Sequence, residues 1–394
     1  MHPGEKKDRR GKYLLVLGDG MADEPIDALG GVTPLEYAST PNMDTIARDG
    51  MMGRLQTIPP GFEPGSDIAN LSVLGYDPAL YYTGRGPLEA ASMGVTLGEG
   101  DIAYRCNLVT IDSGVMKDFS AGHISSEEGR ELFSSLNEVV QDADLYPGIS
   151  YRNLLVLSNA GGAESTPPHD IVGKKIDGYL PRGADAARLR QCMHVAEEIF
   201  SDHRVNVSRA EAGRPPATTI WPWSGGKTPL IPSFQEQFGL SGGMISGVDL
   251  LFGIARSAGM DVIFVPGATG YLDTDYHGKI RSALNAFESL DFVYVHIEAP
   301  DEAGHMGSIE EKVAAIERID EAIGIALDEF AGTIAVLPDH PTPIRLRTHT
   351  SEAVPFAIMG KGCDGTMRYS EREAEKGSCG LLRGPEFLPL LFSD

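Results

Sequence analysis

The chain has 394 residues, of which 42% are hydrophobic, and its formal net charge is -23. This length suits two domains, or one domain with a large insertion, and the composition is ordinary for a soluble globular protein. The negative charge argues against non-specific nucleic-acid binding, which needs a basic surface, and fits a cytoplasmic enzyme partly neutralised by cations. No apolar run is long enough for a membrane span, and the polar tail Met1–Lys12 has no signal-peptide core.

The first part of the chain predicts a strand, a long loop and a helix. Tyr13–Leu17 is a short apolar strand followed at once by Asp19. A helix is predicted over Asn42–Asp49, because proline precedes it and glycine follows it. A segment rich in proline and glycine then leads into Ile68–Leu74, which places Ser66 at the mouth of a second helix.

The middle of the chain differs in character and predicts an inserted domain. A strand is expected at Leu154–Leu157 and helices at Glu127–Val140 and Ala184–His203, joined by loops that carry arginines. Val205–Ser233 is rich in proline, glycine and tryptophan and is predicted to be a loop. The resulting division is a core over residues 1–103, an insertion over 104–235 and a second part of the core over 236–394.

The last part returns to alternating helices and strands. Helices are predicted at Val248–Ala258 and from Ser308 onward, and strands at Asp261–Val265 and Val354–Met359. The helix after Ser308 has an apolar stripe with a 3.6-residue period and a capping-box pattern at its start. This alternation predicts an α/β fold with a doubly wound, mostly parallel sheet and an inserted α+β cap domain.

Acidic and imidazole side chains follow three short apolar strands, which are predicted at Tyr13–Leu17, Phe292–Ile297 and Ile334–Leu337. Any one of these pairs is a weak signal, since a lone carboxylate and histidine are more often solvated surface groups. Their coincidence at strand ends is stronger, because the active crevice of a parallel sheet lies at the carboxyl ends of its strands. Buried like charges repel unless a cation lies between them. The residues concerned are Asp19, Asp301, His305, Asp339, His340 and His349.

This ligand set suits two divalent metal ions better than one. Oxygen and nitrogen donors without a thiolate favour Mn²⁺, Mg²⁺ or Zn²⁺, and the sequence does not choose among them. Ser66 has two interpretations. It can be a helix N-cap, or its hydroxyl, beside a divalent ion, can be the nucleophile that attacks phosphorus at a helix end that favours phosphate oxygens.

The chain resembles the cofactor-independent phosphoglycerate mutases of the archaeal type, within the alkaline-phosphatase superfamily, over nearly all of its length after Tyr13. The matching segments are Gly18-Asp-Gly-Met-Ala-Asp23, Thr33-Pro-Leu-Glu-Tyr-Ala38, Thr40-Pro-Asn-Met-Asp44, Gly65-Ser-Asp-Ile-Ala-Asn-Leu-Ser72, Ala299-Pro-Asp-Glu-Ala-Gly-His305 and the stretch from Pro338-Asp-His340 to His349-Thr350. The resemblance implies a glycolytic metalloenzyme with a phosphoserine intermediate at Ser66 and a substrate-handling cap in the middle segment.

The resemblance also implies two ligand sets. One metal would be held by Asp301, His305 and His349, and the other by Asp19, Ser66, Asp339 and His340.

Two segments depart from the archaeal pattern. Asp118-Phe-Ser-Ala-Gly-His123 and Pro338-Asp-His-Pro-Thr-Pro343 stand where the archaeal mutases have an Arg-Arg-containing motif and a Gly-Asp-His-Ser-type motif. These variants look like a bacterial subgroup that has been proposed to act as homoserine kinase. The metal site would be unchanged, whereas the acceptor pocket could differ.

The cap contributes candidate substrate-binding residues, since arginine binds carboxylate and phosphate through paired hydrogen bonds. An ordinary solvated surface position is the competing interpretation for about half of them. These candidates lie in or near loops that contain glycine or proline: His123, Arg152, His169, Arg209 and Arg214.

The favoured function is the interconversion of 3-phosphoglycerate and 2-phosphoglycerate, with a small phosphorylated metabolite as the partner and no organic cofactor, nucleic acid or membrane. Three alternatives stay open: a metal-dependent phosphotransferase of the homoserine kinase type, a phosphohydrolase on the same core, and a metal-stabilised binding protein without turnover. The chain has no P-loop motif, so any kinase activity would use the metal site. Whether the chain forms a homo-oligomer is left open.

Overall fold

The structure is a computed structural model that describes residues 11–393. Most of the polar tail Met1–Lys12 lies outside the described residues. Within them the chain forms two compact units, a core unit of residues 11–82 and 231–393 and an inserted unit, Thr83–Leu230. Among the described helices, none is both long and apolar enough to cross a membrane.

The strands are numbered in chain order. They are β1 Tyr13–Gly18, β2 Gly50–Gln56, β3 Ile102–Asp112, β4 Val115–Asp118, β5 Asp144–Ile149, β6 Arg152–Leu157, β7 Ala163–Glu164, β8 Arg182–Gly183, β9 Thr219–Gly226, β10 Gly242–Ile245, β11 Asp261–Val262, β12 Phe292–Ile297, β13 Thr333–Leu337, β14 Val354–Met359 and β15 Leu381–Arg383.

The α-helices are numbered in the same way. They are α1 Pro34–Tyr37, α2 Pro41–Arg48, α3 Ser66–Val73, α4 Pro78–Tyr81, α5 Arg85–Ser92, α6 Ser126–Asn137, α7 Ala186–Ser201, α8 Arg204–Glu211, α9 Phe234–Phe238, α10 Asp249–Ser257, α11 Tyr276–Ala286, α12 Ala299–Met306, α13 Ile309–Glu329, α14 Glu371–Ala374 and α15 Phe387–Phe392.

The core unit is built on one mixed sheet with the strand order β11-β10-β12-β1-β13-β14-β2-β15. The strands from β11 to β13 are parallel to one another, and β14 runs antiparallel to both of its neighbours. The predicted α/β class with a mostly parallel sheet is therefore confirmed. The central strands β1, β12 and β13 are buried almost throughout, which explains why each is a continuous apolar run rather than an alternating one.

The register of these three strands aligns their carboxyl ends. Gly18 at the end of β1 lies opposite Ile297 at the end of β12, and Leu17 lies opposite Leu337 at the end of β13. The Asp19 amide continues the ladder by donating to the Ile297 carbonyl over 2.9 Å. The residues that follow the three strands therefore leave the sheet at one common edge.

The inserted unit has its own antiparallel sheet in the order β4-β3-β6-β5, with β9 paired to the other side of β3. Its compact boundaries, Thr83 and Leu230, differ from the predicted 104 and 235. The earlier start reflects helix α5, which packs closely on β3: a Cβ atom at Gly86 would lie 2.0 Å from the Ala103 carbonyl oxygen.

The prediction of a loop over Val205–Ser233 is wrong, because the structure contains α8 and β9 there. Trp221 and Trp223 are buried in the core of the inserted unit, and this packing outweighs the local turn signals of proline and glycine. Among the described strands β9 pairs only with β3, and an edge strand of this kind is a position that tolerates proline, such as Pro222.

Candidate active site

The carboxylates predicted to lie at the strand ends converge at one edge of the core sheet. Asp19 follows β1, Asp339 follows β13, and Asp301 lies on α12, which begins directly after β12. All three side chains are buried, with relative exposures of 0%, 0% and 3%. Negative side chains at this depth require compensation by cations or hydrogen-bond donors.

One group of this site is formed by Asp301, His305 and His349. The His305 Nε2 atom lies 3.1 Å from Asp301 Oδ2, and the His349 Nε2 atom lies 3.5 Å from Asp301 Oδ1. The two Nε2 atoms are only 3.0 Å apart. Two imidazole nitrogens at this distance must share either a proton or a cation, since their lone pairs otherwise repel.

His340 is the centre of the second group. Its Nε2 atom lies 3.3 Å from Ser66 Oγ and 3.5 Å from both Asp19 Oδ1 and Asp339 Oδ2. Ser66 is the first residue of α3, and Gly65 is the N-cap, so the interpretation of Ser66 as the N-cap is wrong. The His340 and His349 ring centroids are 4.2 Å apart, which makes the two groups contiguous.

Burial and mutual repulsion dominate the electrostatics of the carboxylates. Burial, helped by the charges of Asp339 and Glu298, raises the pKa of Asp19 well above its usual value. Burial also raises the pKa of Glu298 to about 8. Burial alone would raise the pKa of Asp301, but hydrogen bonds from its two histidine neighbours lower it instead. The site therefore gathers more negative charge than its protein neighbours neutralise.

The residues fit the divalent cations that the resemblance implies. Asp19 Oδ1 is buried and has no hydrogen-bond partner among the described residues, as expected of an atom that faces a cation. Donor atoms within 4.8 Å of one another form two sets, one of Asp301, His340 and His349 and one of Asp19, His296 and Asp339. These two clusters are consistent with a binuclear metal site. The donors are carboxylate oxygen and imidazole nitrogen, which suits Mn²⁺, Mg²⁺ and Zn²⁺.

His296 was missed by the sequence reasoning. It lies inside β12, is fully buried, and places Nε2 2.9 Å from Asp19 Oδ2 and Nδ1 3.2 Å from Ser246 Oγ. Burial lowers its pKa to about 3, so the imidazole is neutral. The available signal was a histidine that interrupts an otherwise apolar strand.

Polar residues behind the site hold its candidate ligands in place. Asn70, one turn after Ser66 on α3, donates to the Ser66 carbonyl over 2.8 Å and to Asp339 Oδ2 over 2.9 Å. The Thr342 hydroxyl hydrogen-bonds to Asp301 and lies 3.3 Å from the Nδ1 atom of His340. Such contacts fix the orientation of the ligands, which is a usual feature of metal sites.

Lys312 connects two of the loops that carry candidate ligands, from the buried side of α13. Its ammonium donates to the Ala22 carbonyl over 3.1 Å, to the Thr342 carbonyl over 2.9 Å and to Asp23 Oδ2 over 2.7 Å. Its side chain is fully buried, and these contacts use all three of its N–H donors. The loop after β1 and the loop after β13 are therefore fixed by a single cation.

In the inserted unit, the predicted residues His123 and His169 belong to one aromatic cluster. The Phe119 ring centroid lies 6.5 Å from that of His123 and 6.1 Å from that of His169. Tyr151 packs edge-on against Phe119 at 5.7 Å, and the Arg152 guanidinium lies 5.7 Å from the Tyr151 ring centroid. The structure thus brings His123, Arg152 and His169 together.

Arg105 belongs to the same cluster and was also missed. Its guanidinium lies 4.7 Å from the Trp223 ring centroid, and that ring is 5.4 Å from the His169 ring. Burial lowers the pKa of Arg105 to about 10, although the carboxylate of Glu89, 3.4 Å away, opposes this shift. Arg105 interrupts a buried strand, as His296 does in the core unit, and that interruption was the available signal.

The structure does not bring Arg209 and Arg214 into this cluster. Arg209 is 1% exposed, and its Nη1 atom lies 2.7 Å from Glu128 Oε2. Arg214 is half exposed and lies 2.9 Å from the other oxygen of Glu128. Both guanidinium groups are thus engaged by one carboxylate at the start of α6.

Residues 47–206 match the family model described as 2,3-bisphosphoglycerate-independent phosphoglycerate mutase. The chain is 51% identical over 390 residues to the mutase of that name from Methanothrix thermoacetophila, covering 97% of this chain and 100% of the relative. A probable mutase from Geobacter sulfurreducens is 49% identical over 386 residues, covering 94% and 96% of the two chains.

Two solved structures are similar over nearly the whole chain. A Pyrococcus horikoshii protein is 33% identical with a TM-score of 0.85, covering 97% of this chain and 98% of that one. The cofactor-independent phosphoglycerate mutase from Thermoplasma acidophilum is 30% identical with a TM-score of 0.68, covering 96% and 98%.

Proposed function

The chain belongs to the archaeal-type, 2,3-bisphosphoglycerate-independent phosphoglycerate mutases, and we propose that it interconverts 3-phosphoglycerate and 2-phosphoglycerate through a phosphorylated Ser66. This reaction would make it a glycolytic, cytoplasmic enzyme acting on a free metabolite. The observation that carries the proposal is the Ser66 hydroxyl, 3.3 Å from His340 Nε2 within a buried cluster of carboxylates and imidazoles.

The proposed chemistry is two successive phosphoryl transfers. Ser66 Oγ gives up its proton and forms a bond to phosphorus while the bond from phosphorus to the glycerate oxygen breaks, and that oxygen takes up a proton. The other glycerate hydroxyl then loses its proton and forms a bond to phosphorus while the bond from phosphorus to Ser66 Oγ breaks. Oγ takes up a proton, which restores Ser66. Water must be excluded during the intermediate, because hydrolysis of the phosphoserine would end the cycle.

The proposed metal ligands are Asp301, His305 and His349 for one ion and Asp19, Ser66, Asp339 and His340 for the other, with His296 beside the second set. When bound, two divalent cations would supply positive charge for the phosphoryl oxygens and lower the pKa of the serine hydroxyl. Asn70 and Thr342 keep the donor atoms of these residues oriented. Ser66 opens α3, where backbone N–H groups favour phosphate oxygens.

In the inserted unit we propose that His123, Arg152 and His169 bind the substrate, with Arg105 as a further cation. The carboxylate of phosphoglycerate is the group best suited to these side chains, because guanidinium and imidazole groups donate charge-assisted hydrogen bonds to carboxylate oxygens. The aromatic rings of Phe119, Tyr151 and Trp223 support these donors from behind. Arg209 and Arg214 are not included in the proposed site, since Glu128 already engages them.

A three-way assay tests the proposed function. The purified, metal-loaded protein is given 3-phosphoglycerate, then ATP with homoserine, and isomerisation, homoserine phosphate and free phosphate are measured separately. We expect isomerisation to exceed both other activities by at least about a hundredfold, which corresponds to roughly 2.7 kcal/mol of barrier difference. Phosphorylation of homoserine without isomerisation would reject the mutase in favour of the kinase, and dominant phosphate release would favour a phosphohydrolase.

A labelling experiment identifies the nucleophile. The protein is mixed briefly with phosphoglycerate, quenched in acid and digested, and the phosphopeptides are mapped by mass spectrometry. The label is expected on Ser66 and to be absent in Ser66→Ala. Ser72→Ala is the matched control, because Ser72 lies on the same helix and its buried hydroxyl has no hydrogen-bond partner among the described residues. A label that persists in Ser66→Ala would refute the proposed intermediate.

A further inference from the structure

The turn that presents His123 has an unusual backbone conformation. Ala121, Gly122 and His123 have φ angles of +49°, +65° and +47°. Glycine adopts such left-handed angles without strain, but each of the other two residues brings its Cβ atom close to the following carbonyl oxygen. Consecutive left-handed residues therefore persist only where the surrounding structure holds them.

Arg209 holds this turn from the buried side. Its Nη2 atom donates to the Ala121 carbonyl over 2.5 Å, and its Nε atom donates to the Pro215 carbonyl over 3.0 Å. The third contact is the pair with Glu128 already described. The Pro215 ring in turn packs on Gly122, where a Cβ atom would lie 2.8 Å from the proline Cδ. One buried guanidinium thus holds the Ala121 carbonyl of the turn and also holds Pro215, which packs against the turn.

The opposite side of the turn is fixed by Ser120. The Ser120 hydroxyl donates to Asp118 Oδ1 over 2.6 Å and accepts the His123 N–H over 3.0 Å. Ala121 and Ser120 are buried, whereas His123 is exposed. The contacts of Arg209 and Ser120 therefore constrain the backbone of the turn. The turn in this way presents the His123 imidazole beside the aromatic rings of Phe119 and Tyr151.

We infer that Arg209 is a positioning residue that holds the strained turn at residues 121–123, so that His123 is presented for substrate binding. The inference rests on the role proposed above for His123. Its physical basis is that a planar guanidinium donates in several fixed directions at once, so it can satisfy two carbonyls and a carboxylate that belong to different segments. Lysine cannot reproduce this geometry with its single nitrogen.

The test compares Arg209→Met with Arg204→Met, a change of an exposed arginine on the same helix that pairs with Glu131. Arg209→Met is expected to raise KM for phosphoglycerate about tenfold while kcat changes less than threefold, which is the pattern of a lost binding contact. Hydrogen exchange of residues 118–124 should become at least tenfold faster. Arg204→Met should change KM, kcat and the exchange rate of residues 118–124 by less than twofold.

A rescue experiment separates positioning from general destabilisation. Adding Ala121→Gly to the Arg209→Met protein removes the Cβ atom that makes the left-handed conformation unfavourable at residue 121. This second substitution should reverse at least a third of the rise in KM. If Arg209→Met does not fold, Arg209→Lys is used, since it keeps the charge next to Glu128. Unchanged KM and exchange of residues 118–124 in a folded Arg209 variant would overturn the inference.

His123→Asn distinguishes failure of this inference from failure of the proposed function. If His123→Asn raises KM but Arg209→Met does not, the positioning role is wrong and the substrate role stands. If His123→Asn leaves KM unchanged, the proposed role of His123 fails and the inference fails with it. Absence of any isomerisation by the parent protein would instead reject the proposed function, and hydrogen exchange would still report on the turn.

Discussion

The core unit and the inserted unit hold their proposed functional side chains in different ways. In the core unit Asp19 and Asp339 follow adjacent strands directly, and both are fully buried. In the inserted unit His123 lies on a turn and His169 on the short 3₁₀ turn Pro168–Ile171, with about half of the His169 side chain exposed. In the core unit the sheet fixes the positions of these side chains, whereas in the inserted unit other side chains hold the loops that carry them.

This difference separates two requirements of a phosphoryl-transfer site. Groups that act on the phosphorus atom must keep their distances to within fractions of an ångström, which strand ends and buried hydrogen bonds provide. Groups that recognise the rest of a small substrate can lie on loops that the scaffold supports. Changes in the core unit are therefore expected to act on kcat and metal binding, and changes in the inserted unit on KM.

The largest effect is expected for Ser66→Ala. Removal of the proposed nucleophile should lower kcat by about 10⁴-fold or more, as loss of a catalytic serine does in other enzymes. The unfolding free energy should change by less than about 1 kcal/mol, because most of the fold does not depend on this hydroxyl. Steady-state kinetics and denaturant titration measure the two quantities, and an activity loss below tenfold would contradict the proposed role.

Lys312→Met tests whether the rigidity of the core site depends on the buried ammonium. Loss of the positive charge leaves Asp23 buried without its ion-pair partner, so we expect a loss of about 3–5 kcal/mol of unfolding free energy. Manganese affinity, measured by titration calorimetry, should fall about 10- to 100-fold, because the loops that carry the ligands are no longer tied together.

The double variant Lys312→Met/Asp23→Asn provides the control for charge. It should recover part of the lost stability, because no unpaired carboxylate is then buried. It should not recover the metal affinity, since the hydrogen bonds to the Ala22 and Thr342 carbonyls stay absent. Unaltered manganese affinity in a folded Lys312→Met protein would show that these loops hold their positions without the lysine.

Arg152→Met tests the proposed substrate site of the inserted unit. Loss of a charge-assisted hydrogen bond, roughly 1.5–3 kcal/mol, should raise KM for phosphoglycerate about 10- to 100-fold. Manganese affinity should be unaffected. The matched control is Arg204→Met, and a fall in kcat with unchanged KM would break the proposed division of labour.

The smallest effect is expected for Glu371, whose titration makes the free energy of unfolding depend on pH. Glu371 accepts hydrogen bonds from the Asp23 amide and the Thr33 hydroxyl. Burial raises the pKa of Glu371 to about 7, above the 4.5 of an unfolded chain. The folded state therefore binds the proton of the Glu371 carboxyl more tightly than the unfolded chain does. The contribution of Glu371 to stability is complete below about pH 4.5 and is lost as the pH rises to about 7.

Glu371→Gln should remove that dependence. Between pH 5 and pH 7 the parent should lose roughly 2 kcal/mol of unfolding free energy relative to the variant, measured by denaturant titration. Glu375→Gln, at an exposed position nearby, should leave the slope as it is in the parent. Equal slopes for the parent and Glu371→Gln would exclude Glu371 as the titrating group.

The candidate metal ligands at the strand ends were accessible to sequence reasoning for a physical reason. Asp19, Asp339 and His340 closely follow continuous apolar strands, and strands buried on both faces of a parallel sheet have that composition whatever surrounds them. His296 and Arg105 were not predicted as site residues, because a polar residue inside a buried strand carries no local signal of its partner. The partners, Asp19 and Trp223, are distant in the chain and become neighbours only through strand pairing.

The sequence by itself determined the α/β class, the strand ends that carry carboxylates and imidazoles, and the helix that begins at Ser66. These features depend on short-range patterns of apolar, polar and turn-forming residues. Tertiary structure alone decided that Val205–Ser233 contains a helix and a strand, and that Arg209 contacts a strained turn. Both outcomes depend on burial against segments far away in the chain, and the free energy of that burial exceeds the local preferences that a sequence displays.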